Sequence, residues 1–163
     1  MRPLFNVVLL SLVGSVAPAL AGGIEVFRVW PGYRTAESFE RISDFFGGGK
    51  NDGGEIVRRS QPSARQGYYF LVRLKNPGPA VAAARFELQV ISPSSPDPRT
   101  YTFTADVPAG SHAFDFGLTG RDWPEAKASA VAWRLVVSAP DGAELARRQS
   151  FLWAKPDAGP AAK

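Results

Sequence analysis

Three observations predict an all-β fold, an antiparallel sandwich of seven to eight strands with one short N-terminal helix. Apolar and polar side chains alternate with a period of two through most of the chain after Glu55. Glycine and proline, 16 and 14 of the 163 residues, interrupt that alternation where turns are needed. The apolar content is 45% and the aromatic content 12%, enough to fill a core between two sheets. At roughly 150 residues per domain, the chain amounts to one.

The first segment is of another kind. Arg2 gives a positive start, Leu4 to Val16 is almost wholly apolar, and Ala19-Leu20-Ala21 matches an A-x-A cleavage site. Residues 1–21 therefore read as a secretory signal peptide cut after Ala21. The apolar run is shorter than the ~20 residues of a membrane span. No membrane span follows signal cleavage, and no cysteine is present to carry a lipid anchor. The expected mature chain is exported, to the periplasm or outside the cell.

Residues 22–54 are expected to add a strand, a short helix and a glycine-rich loop to an edge or end of the sandwich. Ile24 to Trp30 (IEVFRVW) is β-branched and aromatic, and Pro31-Gly32 is expected to end it. Thr35 to Phe46 changes period, with Phe39, Ile42 and Phe45 at helical spacing, Thr35 as N-cap and Gly47 as stop. Gly47 to Gly54 (GGGKNDGG) follows as a loop.

Residues 55–153 supply the sandwich, and 22–153 are read as a single domain. Ile56–Ser60 is a short strand. Tyr68–Lys75 alternates, and Asn76-Pro77-Gly78-Pro79 turns the chain into Ala84–Ile91. Ser92–Arg99 is expected to be a proline-broken loop. Thr100–Val107 then alternates most regularly, followed by Ser111–Leu118 and, after a loop holding Trp123-Pro124, Ala130–Ser138. Pro140-Asp141-Gly142 marks a hairpin into Glu144–Trp153. Arg147, Arg148 and Gln149 muddle the parity of that strand, which predicts a bulge or an edge. Residues 154–163 are read as a disordered tail. About 100 residues of short strands is the size of an Ig-like or fibronectin-III-like sandwich.

Two stretches carry a resemblance. GLTGRDWP (117–124) with VAWRLVVSAPDGAELARRQSFLW (131–153), and TAESFERISDFF (35–46) with GGEIVRRSQP (53–62), resemble small secreted bacterial proteins without an assigned activity. The resemblance implies an Ig-like or fibronectin-III-like sandwich. It implies no catalytic or binding residue.

Composition excludes several chemistries. Without cysteine there is no disulfide framework, thiolate metal site or thiol nucleophile, and the single His112 excludes sites that need two histidines. Ser111, His112 and Asp115 do not make a triad, because on a strand His112 points with Phe114 and Phe116 while Ser111 and Asp115 point away. No G-x-S-x-G elbow is present. Asp44 and Asn51 stand where a phosphate-binding G-x-x-x-x-G-K-[ST] loop needs glycine and a hydroxyl. Asn51, Asp52 and Glu55 do not have calcium-loop spacing. The carboxylates read as turn and wet-face residues; Asp106 and Asp115 meeting in an open cleft would instead suggest a hydrolase. No catalytic, cofactor-binding or metal-ligating residue is expected, and no cofactor.

The net charge is +4, and 14 of the 19 basic residues are arginines scattered over strand faces. Export and this scatter exclude nucleic acid as the expected partner. Most aromatics fall on core parity. Four are less easily placed: Trp30 and Tyr33 flank the first turn, Tyr69 lies on the face opposite Tyr68, and Trp123 sits in a loop, where it either plugs one end of the sandwich or joins the other three in a candidate stacking surface. Arg147 and Arg148 mark a candidate docking edge. The function expected is therefore an exported, non-catalytic β-sandwich that binds another envelope or secreted protein, with a polysaccharide as the alternative partner.

Overall fold

The computed structural model describes residues 23–39, 55–126 and 128–153. Eight strands run in chain order: β1 (Glu25–Arg34), β2 (Glu55–Arg59), β3 (Gly67–Asn76), β4 (Val81–Ser92), β5 (Ser95–Val107), β6 (Gly110–Thr119), β7 (Ala132–Ser138) and β8 (Glu144–Gln149). They form two four-stranded sheets, ordered β1-β3-β6-β2 and β5-β4-β7-β8. The fold is an all-β sandwich. The expected helix lies mostly outside the described residues; of its span, Glu37–Phe39 forms a single 3-10 turn. The expected signal peptide and tail lie outside them as well. Among the described residues no helix is long and apolar enough to cross a membrane.

Alternation builds the core. Phe70, Val72 and Leu74 of β3 and Phe114, Phe116 and Leu118 of β6 meet Phe86 and Leu88 of β4 and Leu135 and Val137 of β7. Phe86 lies 5.1 Å from Phe114 and 4.7 Å from Phe116, and Phe103 lies 5.0 Å from Phe116. Each such ring contributes about 1.5–3 kcal/mol by leaving water. Asn76 ties the ends together. Its side-chain amide donates to the carbonyls of Pro79, Val107 and Pro108, and its side-chain oxygen accepts from Gly78 N–H.

Three expectations are corrected. Strand β1 does not stop at Pro31-Gly32: Pro31 pairs with Phe70 and Gly32 with Tyr69, and pairing continues to Arg34. β1 stands at the edge of the first sheet, beside β3. Strand β5 begins at Ser95, running through Pro96 and Pro98 where a loop is expected. Both strands are edges, and an edge needs no N–H on its outer side, so proline fits. The pairing is also not wholly antiparallel, because β2 runs parallel to β6. The muddled last strand has a plain cause. β8 is an edge, its pairing with β7 shifts between Val137 and Ser138, and Arg148 stands opposite Leu135 at a core-facing position that the edge leaves exposed.

Candidate functional site

The outer face of the first sheet has an unusual composition for a face turned away from the core. Along β6 its residues are Ala113, Asp115, Gly117 and Thr119, and all four are buried. Such small residues leave room above the strand, and β1 and β3 fill it. In register, Trp30, Leu71 and Asp115 form one row across the sheet, and Gly32, Tyr69 and Gly117 form the next.

Tyr69 lies flat over Gly117. A Cβ on Gly117 would come within 2.4 Å of the tyrosine ring, so the glycine is what allows the ring to lie there. The tyrosine hydroxyl accepts from Arg59 Nε at 2.8 Å and donates to the Arg65 carbonyl. Burial raises the Tyr69 pKa above the ordinary tyrosine value, against the opposing pull of the Arg59 hydrogen bond. Phe39 packs on the same ring at 4.7 Å. Asp115, fully buried, accepts a charged hydrogen bond from Arg34. The Arg34 guanidinium lies 4.2 Å over the Phe39 ring, and that of Arg59 lies 5.0 Å from the same ring. Arg34 is thereby fixed at two places, by a carboxylate and by an aromatic face.

Beside this assembly is a shallow cleft of about 290 Å³, lined by Trp30, Pro31, Gly32, Tyr33, Arg34, Tyr69, Leu71 and Asp115. Gly32 forms an open floor, since a Cβ there would meet nothing within 4 Å. Trp30 is 44% exposed, and the Arg28 guanidinium lies 4.6 Å over its ring. The cleft thus offers an accessible indole, a tyrosine and a guanidinium whose direction is set before any ligand arrives.

Three of the residues singled out in the sequence, Trp30, Tyr33 and Tyr69, come together at this cleft. Tyr69 contributes an enclosed ring, being 1% exposed. Trp123 is elsewhere: it stacks on Tyr68 at 4.5 Å and belongs to the core. It borders a second opening of about 200 Å³ with Tyr101 and Arg121, but its ring is occupied by Tyr68 and is no platform. Arg147 and Arg148 lie on β8, where Arg147 is paired with Glu144 at 2.6 Å. His112 is half-buried, its Nε2 2.9 Å from the Ala109 carbonyl oxygen. Asp106 and Asp115 are not brought together. Asp106 lies in the other sheet, where its carboxylate accepts from Ala83 N–H at 2.8 Å. Among the described residues no three His, Cys, Asp or Glu side chains gather as metal ligands.

Sequence reasoning misses Arg34, Gly32, Gly117 and the burial of Asp115, which it assigns to a wet face. The available signal is the outward parity of β6, where small residues replace the bulky polar ones of a solvated strand. No protein-family model matches this chain, and no curated protein matches it.

Proposed function

We propose that this chain is an exported, non-catalytic β-sandwich of the fibronectin-III-like type that binds a saccharide in the cleft beside β1. Strand order supports the fold subtype. β5 joins β4 rather than β6, unlike the arrangement of a constant-type immunoglobulin sandwich, and β2 occupies the free edge of β6. The observation that carries the functional reading is the convergence of Trp30, Tyr33 and the anchored Arg34 on one open-floored cleft. A sugar ring has an apolar C–H face and a rim of hydroxyl acceptors. The indole of Trp30 suits the face and the guanidinium N–H groups of Arg34 suit the rim.

Titration with a glycan panel, followed by tryptophan fluorescence, tests this. The expected result is a saturable change for at least one glycan, lost in Trp30→Ala and kept in an Arg147→Glu/Arg148→Glu variant. A flat response to every glycan overturns the reading.

Docking of another envelope protein by strand addition has less support. β1 is interrupted by an irregularity at Phe27 and carries Pro31, β5 carries Pro96 and Pro98, and β8 has six residues with two exposed arginines. These are the devices that blunt sheet edges. A protein partner remains the second reading on a different observation: Phe151 and Leu152, just after β8, are 85% and 52% exposed. Cross-linking of the tagged mature chain in its native envelope, beside a Phe151→Asp/Leu152→Asp variant, tests it. A stoichiometric partner lost in the variant supports that reading.

A further inference from the structure

We infer that the saccharide taken by this cleft is acidic, and that Arg28 and Arg73 select it by its carboxylate or sulfate groups. The inference rests on the saccharide reading above and names the ligand class of that same site. Arg28 of β1 and Arg73 of β3 are direct cross-strand partners on the outer face of the first sheet, and both are exposed. Like charges directly opposite one another destabilise a strand pair. Among the described residues neither arginine is in an ion pair that would offset the repulsion, whereas Arg34, Arg85 and Arg147 each are; Arg28 has the Trp30 ring beside it instead. Lys75 follows Arg73 on the same face, opposite Glu25, with no ion pair between them. Of the carboxylates on this face, Glu25 is opposite Lys75, Asp115 is engaged by Arg34, and Glu55 of β2 shares the row of Arg28 and Arg73, with Ala113 between. Among the described residues Arg28 and Arg73 thus have no ion-pair partner, and both are exposed to an approaching anion.

Its place fits the cleft. The row holding Arg28 and Arg73 is next to the row of Trp30 and Leu71, two residues along the strand, or about 7 Å. The Arg28 guanidinium already lies 4.6 Å over the Trp30 ring. An oligosaccharide with one ring stacked on Trp30 opposite Arg28 can extend along the strand, so that the acidic group of a neighbouring ring approaches these two guanidiniums. A neutral saccharide would use Trp30 and Arg34 and leave them idle. An anion without a ring would use them and leave the indole idle.

The test compares hexamers of galacturonate, mannuronate and guluronate, and a sulfated oligosaccharide, with carboxyl-reduced or desulfated counterparts of the same length, by calorimetry on the mature chain. At least one acidic oligomer is expected to bind tenfold or more tightly than its neutral counterpart. That advantage should vanish at about 0.5 M salt, where exposed charges are screened. Arg28→Gln/Arg73→Gln should also abolish it, bringing the ratio of acidic to neutral affinity to about one. Equal affinity for acidic and neutral forms overturns the inference and leaves the saccharide reading standing. Binding to neutral glycans alone does the same. An acidic preference untouched by the double substitution overturns the role of the two arginines. Capture by anionic phospholipid vesicles with no response to any oligosaccharide overturns both readings.

Discussion

The two outer faces of this sandwich are built from the same alternation and end differently. On the second sheet, outward residues such as Thr100, Thr102 and Thr104 are exposed, and its charged groups settle locally. Arg85 pairs with Glu87 at 3.3 Å, Arg147 with Glu144, and Arg134 donates to Gln89 at 2.6 Å. On the first sheet, the outward residues of β6 are small and buried, a tyrosine lies across a glycine, and a carboxylate is enclosed with an arginine. A face that only meets water has no need of either arrangement. The contrast sets the faces apart: one is a solvated wall, while the other has a second layer of packing with a cleft at its margin.

The sharpest way to break the comparison is to alter the glycines that permit that layer. A Cβ at Gly67 would stand 2.2 Å from the Leu118 carbonyl oxygen, where only backbone movement relieves it. We expect Gly67→Ala to cost about 3 kcal/mol, at the upper end for overpacking, and Gly117→Ala somewhat less, because the ring of Tyr69 can shift. Chemical denaturation measures both. If Gly117→Ala is neutral, Tyr69 is not held in the described position.

Next in size is the enclosed charge. Removing one partner of a buried ion pair costs about 3–5 kcal/mol when the other stays buried. Here the Arg34 side chain is 34% exposed and regains water, so Asp115→Asn should cost about 2 kcal/mol. Glu87→Gln, its counterpart on the other face, should stay within about 0.5 kcal/mol, as exposed pairs do. Similar losses at the two positions would erase the distinction between the faces.

Much of this molecule is legible in its sequence because strand parity is local. The inward sets Phe70-Val72-Leu74 and Phe114-Phe116-Leu118 follow from counting by twos. What is not legible depends on neighbours distant in sequence. Pro31 reads as a stop until β1 is known to be an edge, and Pro96 and Pro98 mislead for the same reason. The parallel pairing of β2 with β6 joins residues more than fifty positions apart, with no turn between them to announce it. Tyr69 reads correctly as outward, but its burial depends on Gly117, which meets it only through strand pairing. The cleft follows the same rule: Trp30 and Tyr33 are visible as unplaced aromatics, whereas Arg34 gains meaning from Asp115, 81 residues away.

A smaller effect separates the faces by pH. Burial raises the pKa of Tyr69 on the first sheet and of Tyr101 on the second. A tyrosine whose folded pKa lies above its unfolded value, about 10, stabilises the fold fully below that pH. The contribution is lost as pH rises from about 10 through the folded value, because the unfolded chain releases its proton first. Stability should therefore fall on the alkaline side, and Tyr69→Phe and Tyr101→Phe should each flatten part of that fall. Denaturant midpoints taken from pH 8 to 11 measure it. Only Tyr69→Phe should also disturb the Arg59 side chain, whose Nε it leaves without the tyrosine oxygen.

The smallest expected change in stability is at Gly32, and it is the most informative about function. This glycine is paired opposite Tyr69 as Gly117 is, yet a Cβ on it would meet nothing within 4 Å. Gly32→Ala should leave stability within about 0.5 kcal/mol, with a small gain possible from a less flexible unfolded chain. If the space above Gly32 is where a sugar ring sits, the added methyl group occupies part of that volume and weakens binding tenfold or more while the fold is unchanged. If binding is indifferent to Gly32→Ala but lost in Trp30→Ala, the ring stacks on the outer side of the indole and the cleft floor lies outside the site. The two glycines of one row, one closed by a tyrosine and one open, thus separate what the first sheet needs in order to fold from what the proposed saccharide site needs in order to bind.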